Sequence, residues 1–145
     1  MQIVELADAC SMKKTVLLEM KRYVFLFAVA MTAIGAQGQD IKRLGDGTIV
    51  VNTTSLGKNV KGFGGETPVE IYIKNDEIQK VVALKNQETP KYFSRVQRLL
   101  LPQYVGLKVK KAERAKVDGV TGATMSSKAV KENIKRGLSY YKKNK

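Results

Sequence analysis

Residues 68–84 narrow the possible folds more than any other stretch of the chain. Val69, Ile71 and Ile73 alternate there with Glu70, Tyr72 and Lys74, and a period of two sends successive side chains to opposite faces of a strand. Asn75-Asp76 then turns the chain, and Ile78 to Leu84 reads as a return strand, so the segment predicts a half-buried antiparallel hairpin. A hairpin alone is only marginally stable in water, so its apolar face must meet further strands or a helix. Thr48 to Asn52, entered through the Asp46-Gly47 turn, reads as one more short strand, and Gly106 to Val109 as another. Two helical stretches can cover such a sheet. Lys91 to Leu101 carries Phe93, Val96, Leu99 and Leu100 at helical spacing, and Pro102 stops or bends it. From about Thr124 to Lys142 a second helix has Val130, Ile134, Leu138 and Tyr141 on one face and lysines on the other. The expected fold is a small α+β domain of antiparallel strands with a central helix and a C-terminal helix. With 43% hydrophobic residues the chain has the material for such a core.

Residues 1–38 are not expected to enter that fold. Lys21 and Arg22 form a positive start, Tyr23 to Gly35 an apolar centre, and Ala36-Gln-Gly38 a small-residue exit, the pattern of a secretory signal. The centre has about 13 residues, short of the roughly 20 that a helical membrane span needs. Cleavage at or near Gly38 is therefore favoured over a retained anchor. Met12-Lys-Lys and Met20-Lys-Arg both look like natural starts. The resulting layout is an N-terminal extension and signal peptide over 1–38 and one domain over 39–145. The domain is expected outside the cytoplasm, in a periplasm or at the outer face of an inner membrane.

Composition removes several kinds of chemistry. The chain has no His, so His-based triads and common zinc sites are excluded. Its single cysteine, Cys10, precedes the apolar run, so the domain itself has no thiol for catalysis, disulfides or iron–sulfur ligation. The net charge is +13. Such an excess fits an anionic surface, an acidic partner or simply a solvated basic face, and charge alone does not choose among them. Lysines are scattered from Lys42 to Lys145 without an arginine-rich stripe or interleaved aromatics, so nucleic acid is not expected.

Two segments carry the functional signal. Asn59-Val-Lys-Gly-Phe-Gly-Gly65 is dense in glycine, so its backbone must turn sharply or approach something closely. Val117-Asp-Gly-Val-Thr-Gly-Ala-Thr-Met-Ser-Ser127 runs straight into the C-terminal helix. Gly119 and Gly122 permit tight backbone there, and Thr121, Thr124, Ser126 and Ser127 line up hydroxyls, with Lys128 just beyond. A helix start points unpaired N–H groups and a positive dipole end at the same spot, which suits a phosphate. The same residues also fit an ordinary helix entry capped by one hydroxyl. Walker and Gly-x-Gly-x-x-Gly patterns are absent, so a nucleoside triphosphate or dinucleotide is not indicated.

Asp118-Gly-Val-Thr-Gly-Ala-Thr124 resembles the flavinylation motif of the FMN-binding domain family, found in covalent-FMN subunits of the sodium-pumping NADH:quinone oxidoreductase and of the Rnf complex, and in small exported relatives. Gly62-Phe-Gly-Gly65, the hairpin, Glu88-Thr-Pro90, the Gly-Ala-Thr loop and a closing helix are similar to that family's order of parts, from about Val60 to Tyr141. The resemblance implies FMN as cofactor, attached through its phosphate to Thr124 by a separate Mg-dependent flavin transferase that uses FAD as donor. Asp118 and Gly122 would belong to the sequence that the transferase recognises, with Thr121, Ala123 and Ser127 beside the attachment point. Glu88, Thr89 and the Gly64–Gly65 backbone would border the flavin. No residue of the chain is expected to be catalytic, because the flavin itself carries the redox chemistry.

The family often has glycine after Glu-Thr-Pro, where this chain has Lys91-Tyr92-Phe93. Tyr92 or Phe93 could stack on the ring, although Phe93 fits the helical apolar stripe as a core residue. The expectation is an exported electron carrier that exchanges electrons with a membrane or exported redox partner. The alternatives are a non-covalent FMN-binding reductase domain and, in a different class, a basic module for polyanions or membrane surfaces without cofactor.

Overall fold

The structure, a computed structural model, describes residues 40–145; the expected signal segment and Cys10 lie outside the described residues. Four strands, β1 (Ile41–Arg43), β2 (Ile49–Asn52), β3 (Val69–Lys74) and β4 (Glu77–Ala83), form an antiparallel sheet in sequence order. The β3–β4 hairpin turns at Asn75 and Asp76, with φ of 53° and 58°. These are two of the side chains that tolerate the left-handed region, and such turns match the natural twist of paired strands. Tyr72 pairs with Lys80 but Ile73 with Ile78, so Gln79 is an extra residue that bulges β4. The period of two is realised: Val69, Ile71 and Ile73 have no solvent exposure, while Glu70, Tyr72 and Lys74 are half-buried.

Three helices follow, α1 (Pro90–Leu99), α2 (Val109–Ala112) and α3 (Thr124–Asn144), with a 3-10 turn at Leu101–Tyr104 between the first two. Pro90 occupies the first turn of α1, where its missing N–H costs nothing. The helix α3 has 21 residues. Its stripe of Val130, Ile134, Leu138 and Tyr141 is buried on the sheet together with Phe93, Val96, Leu100 and Leu101. The helix lies close to the sheet at Gly137, where a Cβ would lie 2.8 Å from Ile71 Cδ1 and 2.9 Å from Thr53 Cγ2. This is the expected α+β architecture. Among the described residues no helix is long and apolar enough to cross a membrane.

Local expectations needed correction. Gly106 to Val109 is not a strand: Gly106 turns with φ of +80° and Val109 already opens α2. The segment instead lies along β4, with Gly106 N–H donating to Ile78 O at 2.8 Å, Ile78 N–H to Leu107 O at 3.0 Å, and a single bridge between Glu77 and Lys108. Leu99, expected on the apolar stripe of α1, is 59% exposed, because the helix ends there and Leu100 takes the inward position. The short strand β1 had no signal, since two of its three residues, Lys42 and Arg43, are exposed cations.

Candidate functional site

The chain enters α3 through a loop that is fixed at several backbone atoms. Gln103 grips Asp118 from both sides, accepting from its N–H at 3.2 Å and donating to its carbonyl at 3.5 Å. Lys131 Nζ donates to Val117 O at 2.7 Å. Ser127 Oγ accepts from Val120 N–H at 3.1 Å, and Ala123 N–H closes a turn onto Val120 O at 3.0 Å. Gly122, at φ of +83°, holds a left-handed conformation that other residues adopt only under strain. What remains exposed is Asp118, Gly119, Thr121, Gly122, Thr124 and Met125.

The hydroxyls divide their work in a way the sequence left open. The N-cap of α3 is Ala123, and no side chain caps the helix. Ser127 bonds the loop, Ser126 donates to Glu88, and Thr121 and Thr124 make no hydrogen bond among the described residues. The N–H groups of Thr124, Met125 and Ser126 likewise have no acceptor among the described residues, as geometry requires of a first helical turn without a cap. Thus the ordinary capped entry is not what formed, and the donors stay available to an anion.

A second segment, the Lys61–Glu66 loop, reaches this spot. Lys61 and Glu66 bridge, and Gly62 N–H donates to Gly65 O at 2.7 Å, closing a tight loop. Gly64 N–H donates to Glu88 Oε1 at 2.8 Å, and Ser126 Oγ donates to Glu88 Oε2. Glu88, a residue only 7% exposed, therefore ties the glycine loop to the start of α3 through its carboxyl. Two glycines are required by this approach. A Cβ on Gly62 would sit 2.3 Å from Glu88 Oε1, and one on Gly64 would sit 2.2 Å from the backbone oxygen of Gln87.

Between these parts lies a cavity of about 290 Å³, walled by Phe63, Tyr92 and Met125, with Glu88, Thr89 and the Gly122–Ser126 segment completing it. Of the residues expected from the sequence, it brings together Thr124, Gly122, Ala123, Glu88 and Thr89. Ser127 is buried behind it, holding the loop. Gly64 and Gly65 support Gln87 and Glu88 and do not line it. Asp118 and Thr121 face a separate hollow of about 680 Å³ that also borders Arg95 and Arg98. Phe93 is core, at 5% exposure, leaving Tyr92 at the cavity. The sequence reading missed Phe63 and Met125, and it named the Ser126 hydroxyl without foreseeing its bond to Glu88. Phe63 was discoverable, because an aromatic flanked by glycines in a turn has no core to enter.

Two demands of a mononucleotide flavin can be tested against this geometry, a flat apolar surface and an anion site. Phe63, Tyr92 and Met125 are 76%, 43% and 57% exposed, a cluster that an aromatic ring would cover. The uncapped donors of α3 meet the second demand beside Thr124. The cavity is at the small end of ligand sites, which suits a ligand enclosed in part. The residues present thus fit the group. The family model described as the FMN-binding domain matches residues 62–139. No curated protein and no solved structure matches the chain.

Proposed function

The chain belongs to the FMN-binding domain family and binds FMN, and from that premise we propose that it is an exported electron carrier whose FMN is a phosphoester of Thr124. The observation that carries this reading is the position of the Thr124 hydroxyl: exposed, without a partner among the described residues, and at the first turn of a helix whose N–H donors are uncapped. A phosphate joined there sits where the helix dipole stabilises its charge. The attachment is a group transfer from FAD by a separate Mg-dependent transferase. Thr124 Oγ forms the new bond to phosphorus, the pyrophosphate bond of FAD breaks, AMP leaves, and the hydroxyl proton passes to the transferase or to water. Asp118, exposed and held outward by Gln103, is the residue offered for recognition by that enzyme.

When bound, the flavin supplies reversible uptake of electrons. The chain's own residues position it. Glu88 locks the glycine loop to α3, Phe63 and Tyr92 offer apolar surface, and the fixed loop presents Thr124 in one orientation. Export is supported by the Lys21–Gly38 sequence pattern, and it gives the covalent bond a purpose, because outside the cytoplasm retention no longer depends on a dilute free ligand. FMN binding leaves no place for the cofactor-free basic module. A non-covalent reductase domain differs in one measurable respect.

That measurement is the mass of the denatured protein after export from a host that has the transferase. The expected result is one FMN less water on the peptide containing Thr124 and a chain that begins near Gln39. A bare polypeptide mass from a yellow native sample would overturn the phosphoester and leave the non-covalent domain.

A further inference from the structure

One face of α3 looks into another hollow, of about 960 Å³, whose opposite wall is the Ala112–Ala115 stretch that ends α2. Five cations border it, Arg114, Lys128, Lys131, Lys135 and Lys142, against two carboxylates, Glu113 and Glu132. Lys142 is paired with Glu113, Lys131 is engaged with Val117 O, and Glu132 pairs with Arg136 at 3.1 Å. Among the described residues Arg114, Lys128 and Lys135 form no ion pair. Gathering unpaired like charges in a concavity opposes folding by self-repulsion, so their arrangement calls for an anionic counterpart.

We propose that this groove is the docking surface for an acidic protein, whose carboxylates enter it and pair with Arg114, Lys128 and Lys135. A protein fits better than a membrane, because a flat bilayer does not fill a concavity. The large apolar side chains that a bilayer would take up, Leu44, Phe63, Tyr92, Leu99, Val105 and Met125, are exposed elsewhere and do not border it. Nucleic acid fits less well too. Glu113 and Glu132 repel phosphate, whereas a protein surface can answer them with lysines of its own. The groove's one aromatic, Tyr104, is 3% exposed and offers no platform for base stacking. Lys128 stands one turn beyond Thr124, about 6 Å along the axis, and Lys135 and Lys142 continue along the helix. A protein seated here would lie beside the flavin attachment point, steered there by charge. That this partner is a redox protein rests on the carrier reading above; the groove's preference for an acidic protein does not.

The test uses the flavin-loaded domain, a fluorescent polyglutamate as probe, and for comparison phosphatidylglycerol vesicles and oligothymidylate. Two triple variants with equal change in net charge are compared: Arg114→Glu/Lys128→Glu/Lys135→Glu in the groove and Lys42→Glu/Lys58→Glu/Lys85→Glu away from it. A neutral set, Arg114→Gln/Lys128→Gln/Lys135→Gln, serves if the groove variant unfolds. The groove variant should lose polyglutamate affinity by about tenfold or more and the control far less, with added salt weakening both. Equal losses in the two variants, or no polyglutamate binding by the parent at low salt, would overturn the proposal. So would a groove variant that keeps polyglutamate and loses only vesicles or oligothymidylate, which would assign the groove to lipid or nucleic acid. Flavin content is read separately by mass, so failure of the carrier reading leaves its own signature.

Discussion

Thr124 and Glu88 sit at one site and have opposite energetic characters. Thr124 is exposed, and its hydroxyl makes no hydrogen bond among the described residues. Thr124→Ala should therefore change unfolding free energy by less than about 0.5 kcal/mol while abolishing the FMN adduct in the denatured mass, and Thr124→Ser should retain it. Glu88 is buried and receives two donors. Glu88→Ala strands both the Gly64 N–H and the Ser126 hydroxyl, so a loss of about 2 kcal/mol is expected in urea unfolding of the apo protein, with weaker FMN retention. At this scale the sequence was informative where chemistry is local. The Asp-Gly-Val-Thr-Gly-Ala-Thr pattern pointed to Thr124 and Gly122. The partnership of Ser126 with Glu88 spans 38 positions along the chain and has no local signature. Asp118 and Thr121 belong to the same loop as Thr124 but face a different hollow, because Gly122 reverses the backbone between them.

Among the elements, α3 does two jobs, covering the sheet with one end and presenting Thr124 at the other. Gly137 decides how near it can lie. Replacing it by Ala gains about 1 kcal/mol of intrinsic helix stability. The added methyl, however, arrives 2.8 Å from Ile71 Cδ1 and 2.9 Å from Thr53 Cγ2, and overpacking of a dense core costs about 1–3 kcal/mol. Packing wins this comparison, so Gly137→Ala should lower the thermal midpoint although it removes a helix-weakening residue. Gly64→Ala should be worse for the site than for the core, since its Cβ meets the backbone of Gln87 and pushes Phe63 and Glu88 apart. Less FMN retained, with far-ultraviolet circular dichroism unchanged, is the expected readout. The helices and the hairpin were legible because their apolar spacing is long and regular. Gly106 to Val109 was not, because four residues with alternating apolar side chains look alike in a strand and in a turn that leads into a short helix.

Across the whole molecule the net charge of +13 makes acid pH the vulnerable direction. Lys145 and Tyr141 donate to Asp76 and hold its carboxyl below the usual 3.8, and Lys142 and Ser139 hold Glu113 below 4.5. Lowered values in the folded state mean stability that is present above the ordinary pKa and lost as pH falls through the folded one. The thermal midpoint should hold from neutrality to about pH 5 and drop below about pH 4, with 0.5 M salt restoring part of the loss. Asp76→Asn should flatten that drop by only about 0.5 kcal/mol, because the carboxylate is half in water. The same scale gives the segment along β4 a meaning. An open sheet has two lateral edges, and unpaired backbone groups there can template the stacking of further chains. On one side Gly106 and Leu107 already occupy Ile78, and Lys108 bridges Glu77. On the other, β1 is three residues long and carries Lys42 and Arg43 outward. A stacking chain would have to displace a bonded segment at the start of β4 or bring cations together along β1, so both borders resist edge-to-edge pairing.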